Sequence, residues 1–187
     1  RYKSSLFKNC TMIKILLPTD FSNNALNAIN YAVNLFEKKV CTFIILHTLQ
    51  IGPSGLSSAF NRERDTRLYQ LTKDEAERKM TALKETLETK KKNPKHAFIT
   101  LSSKDSLLNA IGKSVIDQDA DYIFMGTKGV SGVKSIFMGS NTVSVINHID
   151  FCPIVAVPEE YSFERPEEIL FATDFRHRYT EIELEPL

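Results

Sequence analysis

The sequence predicts an α/β protein with an open, parallel, five-stranded sheet and helices on both faces. Five short apolar runs alternate with four segments whose apolar residues recur at helical spacing, which is the pattern of repeated strand–helix units. The run from Val40 to Thr48 is rich in apolar and β-branched residues, as expected of a strand that is covered on both faces. These patterns leave the order of the strands open.

The first strand and the first helix are the most fully specified elements. The apolar run 13–18 predicts a strand that ends at Thr19, Asp20 and Phe21, and Ser22 is a favourable N-cap for the helix that follows. The apolar positions of that helix are Leu26, Ile29, Val33 and Phe36.

The rest of the chain continues the alternation. Residues 61–92 contain no Gly or Pro and carry one apolar stripe among many charges, which predicts a solvated surface helix. In chain order, the other predicted elements are a strand at 40–48, a loop at 50–60, a strand at 97–101, a helix at 107–115, a strand at 122–125, a helix at about 140–148 and a strand at 153–157.

Composition excludes several classes of protein. The 187 residues suffice for one complete domain and part of a second. Lys and Arg number 24 against 23 Asp and Glu, so the net charge of +1 lacks the basic excess of a dedicated nucleic-acid or anionic-membrane binder. No apolar stretch approaches the roughly 20 residues that span a bilayer, and none suits a signal peptide. We therefore expect a cytoplasmic protein with no nucleic-acid or membrane partner.

The cysteines favour the same compartment. Cys10, Cys41 and Cys152 are odd in number and form no CxxC pair, and the last two adjoin apolar runs. We expect these two to pack as small hydrophobic residues rather than to act in redox chemistry.

A glycine-punctuated segment, 126–142, is the best candidate for a binding site. It holds four of the seven glycines and lies between a buried strand and a helix, where α/β proteins build phosphate sites. Gly139 and Ser140 would offer backbone N–H groups at a helix start, and Lys128 and Lys134 would add positive charge. The alternative is a plain glycine loop with an ordinary Ser N-cap. Neither GxxxxGK[ST] nor GxGxxG is present.

The glycine spacing resembles the signature of a known family. Gly126-x2-Gly129-x9-Gly139-Ser140 is similar to the nucleotide-binding signature of the universal stress proteins. The resemblance covers about residues 12–158, and it includes Leu17 to Ser22, Leu46-His47, Asp121 to Gly126 and Cys152 to Val157. It implies the strand order 3-2-1-4-5, which brings strands one and four together at a topological switch point, where α/β sheets bind ligands.

The resemblance also implies ATP with Mg²⁺ in the crevice at that switch point. The residues expected there are Pro18, Thr19, Asp20, Phe43, Gly126, Thr127, Lys128, Gly129, Gly139, Ser140, Asn141 and Thr142. By position, Thr19 and Asp20 would flank the adenosine and Phe43 would contact adenine through its backbone. The first two glycines would approach the ribose and phosphates, and residues 139–142 would hold the phosphates. No catalytic residue and no protein metal ligand is expected.

Two candidates have simpler explanations as well. Asp20 could be an acidic residue favoured at a helix N-terminus by the dipole alone. His47, at a strand end, is expected to be a structural residue with satisfied hydrogen bonds rather than a catalytic one.

One internal repeat stands out. Residues 15–21 (ILLPTDF) recur as 169–175 (ILFATDF), with five of seven positions identical at an offset of 154. We therefore expect a domain at 12–158, a linker at 159–166 and the start of a second, truncated repeat at 167–187, as in tandem universal stress proteins. The alternative is a short strand that matches by coincidence.

Three functions remain open. The first is an ATP-binding stress-response sensor or regulator, with at most slow ATP hydrolysis or autophosphorylation, because no base lies beside a nucleophile in a recognisable motif. The second is a dimerising scaffold without nucleotide. The third is a related adenine-nucleotide α-hydrolase, which would want a Ser-Gly-Gly loop after strand one. We also expect pairing through the strand at 153–157, in a homodimer or a tandem pseudo-dimer.

Overall fold

The computed structural model describes residues 12–49, 59–128, 138–173, 176 and 178–184. The elements are β1 (Ile13–Pro18), α1 (Asn23–Leu35), β2 (Cys41–Thr48), α2 (Ala59–Lys90), β3 (His96–Ser103), α3 (Leu107–Gln118), β4 (Tyr122–Gly126), α4 (Ser140–His148), β5 (Ile154–Val157) and α5 (Glu181–Leu184). Within these ranges, no helix has the length and apolar content that crossing a membrane would require.

The strands form one sheet in the order β3-β2-β1-β4-β5, with every pair parallel. This confirms the predicted fold class and the order implied by the resemblance. β3 is longer than predicted, because it pairs with β2 along its whole length, from Cys41 opposite His96 to Thr48 opposite Ser103.

The two faces of the sheet are covered by different helices. Ile15 and Leu17 point to the face covered by α1 and α2, where they join Ile29 of α1 in one buried cluster. Leu16 points to the opposite face, where it packs with Ile111 of α3 and Val145 of α4. Because β1 is central and covered on both faces, its sequence is continuously apolar rather than alternating.

Two cysteines belong to this core. Cys41 and Cys152 are buried, as expected of small hydrophobic residues. Burial, and secondarily the nearby Asp121 carboxylate, raises the pKa of the Cys41 thiol to about 11 and the pKa of Cys152 to about 12. The thiols therefore stay protonated at neutral pH. Cys10 lies outside the described residues.

The segment after β5 packs against α1. The Asn27 Nδ2 donates to the carbonyl oxygens of Pro158 and Tyr161, at 3.0 and 2.9 Å. The Phe163 ring meets the Tyr31 ring edge-on, at 5.2 Å between centroids, and packs against the core. Residues 158–163, which include the first part of the predicted linker at 159–166, thus pack against α1.

The second copy of the repeat does not form the strand that its sequence predicts. Residues 169–173 are irregular, and Ile169, Leu170 and Phe171 are 59%, 97% and 44% exposed. A strand needs neighbours that pair its backbone and cover its apolar side chains, and the second repeat at 167–187 stays a prediction. Asp174 and Phe175 lie outside the described residues.

Candidate functional site

A cavity of about 380 Å³ lies at the carboxyl ends of β1 and β4. These strands are neighbours, but their connections leave to opposite faces of the sheet, α1 to one and α4 to the other. This is the switch point at which α/β sheets leave a crevice for a ligand.

Nine of the twelve predicted site residues line this crevice. They are Pro18, Thr19, Asp20, Gly126, Lys128, Gly139, Ser140, Asn141 and Thr142. Thr127 contributes its backbone to the same loop, donating from its N–H to Val157 O at 3.0 Å. Gly129 lies outside the described residues.

Phe43 is not brought to the crevice. It lies in the middle of β2, in register with Ile15 and Phe98, and its side chain is fully buried in the core beneath α1 and α2. The part of β2 that reaches the crevice is its carboxyl end, at His47 and Thr48. The predicted contact was therefore placed too early along β2, in the middle of the strand rather than at its carboxyl end.

The turn between β1 and α1 is built from its own polar side chains. The Thr19 Oγ1 accepts from the Phe21 N–H at 3.0 Å, and the Asp20 Oδ1 accepts from the Ser22 N–H at 3.0 Å. Ser22 caps α1, as predicted, by accepting from the Ala25 N–H at 3.2 Å. These bonds hold Phe21 at a φ of 63°, a left-handed conformation that costs free energy for a bulky residue.

His47 supports the same turn from β2. Its Nδ1 lies 2.8 Å from Thr19 O, so this nitrogen carries the proton and donates it. The imidazole packs against the Phe21 ring with 4.6 Å between centroids. His47 is therefore a structural residue whose ring also forms part of the crevice wall.

The N-terminus of α4 differs from those of α1 and α3. Ser22 and Ser106 cap α1 and α3 with side-chain hydrogen bonds, whereas the N-cap of α4 is Gly139, which makes none. Ser140, Asn141 and Thr142 form the first turn of α4 and line the crevice. The positive end of a helix without a side-chain cap therefore faces the cavity, which is a suitable environment for an anion.

The loop that leaves β4 is held at three successive carbonyl groups. Gly126 O accepts from the Thr142 Oγ1 at 2.8 Å, Thr127 O accepts from the Gly139 N–H, and Lys128 O accepts from the Asn24 Nδ2 at 3.0 Å. Side chains and backbone of two helices thus fix the start of the glycine loop before any ligand is bound.

The crevice carries charge of both signs. Among its described lining residues, Asp20 is the one carboxylate and Lys128 the one ammonium group. The Lys128 Nζ lies 3.7 Å from a carboxylate oxygen of Glu159, in the segment after β5. Over the described part of the chain, no group of three or more His, Cys, Asp or Glu side chains is arranged to hold a metal ion.

Sequence reasoning missed several wall residues. Thr48 and Leu49 at the end of β2, Thr72 of α2 and Leu107 of α3 also line the crevice. Thr48 and Leu49 could have been found from the parallel pairing, which brings the carboxyl end of β2 beside that of β1. No local signal marks Thr72 or Leu107.

Comparison with known proteins gives a consistent result. The sequence model of the universal stress protein family matches residues 12–158. The chain is 29% identical over 146 residues to universal stress protein MJ0577 of Methanocaldococcus jannaschii, covering 71% of this chain and 87% of that protein. The solved structure of MJ0577 matches with a TM-score of 0.68 at 27% identity, covering 80% of this chain and 98% of that one.

Two further solved structures are similar in fold. UspA from Lactobacillus plantarum has a TM-score of 0.63 at 19% identity, covering 80% of this chain and 99% of that chain. A universal stress protein solved in complex with cAMP has a TM-score of 0.52 at 14% identity, covering 79% of this chain and 98% of that chain.

Proposed function

The chain belongs to the universal stress protein family, and from this premise we propose that it is a cytoplasmic regulator that binds an adenine nucleotide, ATP with Mg²⁺, in the crevice between β1 and β4. The observation that carries the proposal is the first turn of α4, which has no side-chain cap and opens into the cavity beside Lys128. That the family includes a protein solved with cAMP supports an adenine nucleotide.

Each part of the crevice has a role in this proposal. The N–H groups of Ser140, Asn141 and Thr142 donate to phosphate oxygens. The Lys128 ammonium group leaves its ion pair with Glu159 and binds a phosphate instead. Asp20, exposed at the other side, accepts from ribose hydroxyls or from the adenine amino group. Gly126 and Gly129 allow the loop backbone to approach the ligand.

Mg²⁺ fits this site only as a companion of the phosphates. Asp20 is a single carboxylate, and Mg²⁺ commonly binds through one or two carboxylates, water and substrate phosphates. The ion would neutralise phosphate charge. The chain's own residues bind and orient the nucleotide, so occupancy rather than turnover is the proposed signal.

Self-association through β5 completes the proposal. β5 is the last strand of the sheet and pairs with β4 on one side. We propose that its other edge pairs with a second copy of the chain, or with a second repeat in a tandem arrangement.

The proposed site is tested by substituting the N-cap of α4. Gly139 has φ −62° and ψ 150°, so a residue with a side chain fits its backbone without strain. Gly139→Asp places a carboxylate where a phosphate would bind, and we expect the Kd for ATP to rise at least about 100-fold through like-charge repulsion. Gly139→Ala is the matched control, because it adds a side chain without a charge and without an acceptor that could cap α4, and its Kd should rise far less.

Calorimetry on variants with native circular dichroism measures both effects, and mass spectrometry of nucleotide released from the purified wild-type chain identifies the ligand. Unchanged ATP affinity in a folded Gly139→Asp variant would contradict the proposed site. A wild-type chain that neither carries nor binds nucleotide would favour the scaffold alternative.

A further inference from the structure

Asn24 is buried at the start of α1, with 2% of its surface exposed, although it is not among the residues that line the crevice. Its Nδ2 donates to Lys128 O at 3.0 Å, which joins α1 to a residue 104 positions away in the chain. The reverse orientation of the amide would bring two oxygens together, so the donor is fixed on the side of Lys128.

At the other end of the amide, no donor among the described residues compensates the oxygen. The Asn24 Oδ1 is buried and has no hydrogen-bond partner among the described residues. A buried acceptor without a partner destabilises the fold, and an apolar residue of similar size would fill the same space without that cost. Packing alone therefore does not explain an asparagine at this position.

Asn24, through its side chain and through its backbone carbonyl carbon at 3.0 Å, leaves room only for a glycine at position 126. A Cβ built on Gly126 would lie 2.5 Å from the Asn24 Oδ1 and 2.6 Å from its Cγ, closer than real contacts allow. The carboxamide thus occupies the space beside the last residue of β4 and reaches past it to the loop.

We propose that Asn24 is a positioning residue that holds residues 126–128, the start of the glycine loop, in the position for nucleotide binding through its bond to Lys128 O. Thr142 and Gly139 hold the two preceding carbonyl groups from the side of α4, and Asn24 supplies the third hold from the side of α1. This inference rests on the proposed function, and it adds that α1 takes part in phosphate affinity without touching the ligand.

The test is Asn24→Leu, which keeps the approximate size of the side chain and removes its hydrogen bonds. Asn34→Leu is the matched control, because Asn34 lies on the same helix and, among the described residues, its Nδ2 bonds within the helix, to Asn30 O at 2.8 Å. Calorimetry gives the Kd for ATP and for adenosine, urea unfolding gives the midpoint, and amide hydrogen exchange without ligand reports on residues 126–128.

In Asn24→Leu we expect the Kd for ATP to rise about tenfold and that for adenosine about twofold at most, because the loop serves the phosphates. The urea midpoint should not fall, and exchange at 126–128 should be faster than in wild type. Asn34→Leu should match wild type in all four measurements. If Asn24→Leu does not fold, Asn24→Ala is measured in its place.

Equal losses for ATP and adenosine, or an unchanged ATP affinity whatever the exchange at 126–128, would overturn the inference while leaving the proposed function intact. A wild-type chain that binds no nucleotide would overturn both. If the wild-type chain binds no nucleotide, faster hydrogen exchange at 126–128 in Asn24→Leu would show only that the Asn24–Lys128 bond stabilises the fold locally.

Discussion

Residues 15–21 and 169–175 are nearly the same sequence in two different settings. In the first copy Ile15, Leu16 and Leu17 are completely buried in the central strand of the sheet. In the second copy the equivalent positions of the described part are irregular and mostly exposed, and Leu170, which corresponds to Leu16, is 97% exposed. Strand structure here depends on β2, β4 and two layers of helices rather than on the intrinsic preference of the segment.

The residue that follows each copy differs as well. After the first copy, Ser22 caps α1 and completes the turn built by Thr19 and Asp20. Its counterpart at the same offset is Arg176, which cannot accept a hydrogen bond from a helix N–H. The second copy therefore repeats the Thr-Asp-Phe sequence but lacks the N-cap serine that follows it in the first copy.

The largest contrast is expected from the same truncation in both copies. Leu16→Ala removes a fully buried side chain from the core and should lower the free energy of unfolding by about 2–5 kcal/mol. Leu170→Ala should change it by less than about 0.5 kcal/mol, because the side chain is already in solvent. Urea unfolding of the two variants checks this. A loss above 2 kcal/mol in Leu170→Ala would mean that the second copy is buried in solution.

A smaller loss of stability is expected from truncating the chain, and the position of the cut should show where the folded domain ends. Ending the chain after Glu160 removes the Phe163 ring from Tyr31, and we expect a loss of about 1–2 kcal/mol and a Tm lower by about 2–8 °C. Ending it after Glu164 keeps that contact and should leave the Tm within about 1 °C of wild type. Both products should still bind ATP. Unfolding after the second cut would show that residues 165–187 belong to the first domain.

The smallest effect is expected from alkaline pH. Cys41 pairs in register with Ile13 beside the first copy, and burial raises its pKa from 9.0 to about 11. Below pH 9 the thiol is protonated in both states. Between pH 9 and about 11 it ionises only in the unfolded chain, so stability falls as pH rises. At pH 10 the loss should be about 1 kcal/mol, and Cys41→Ala should lack this part of the decline in urea midpoints. Identical declines would show that the thiol is not shielded.

Much of the fold could be predicted because its signals are local. Apolar runs and the Ser22 cap specify strands and helix starts within a few residues, and parallel topology then brings Asp20 and Gly139 to one edge of the sheet. Phe43 was misplaced because it lies in the middle of β2, whereas parallel pairing brings the carboxyl end of that strand, at His47 and Thr48, to the crevice. The bond from Asn24 to Lys128 was out of reach, since it joins side chain and backbone 104 residues apart.

The contact between Gly126 and Asn24 also constrains the order in which descendants of this sequence can change. An alanine at 126 meets the amide of residue 24 at 2.5 Å, so that substitution is harmful while the asparagine remains. Shortening residue 24 removes that side-chain contact, but the backbone carbonyl carbon of residue 24 still lies 3.0 Å from the same Cβ. The two positions are therefore epistatic in part: a change at residue 24 lessens the harm of an alanine at 126, while the backbone of α1 continues to favour glycine there.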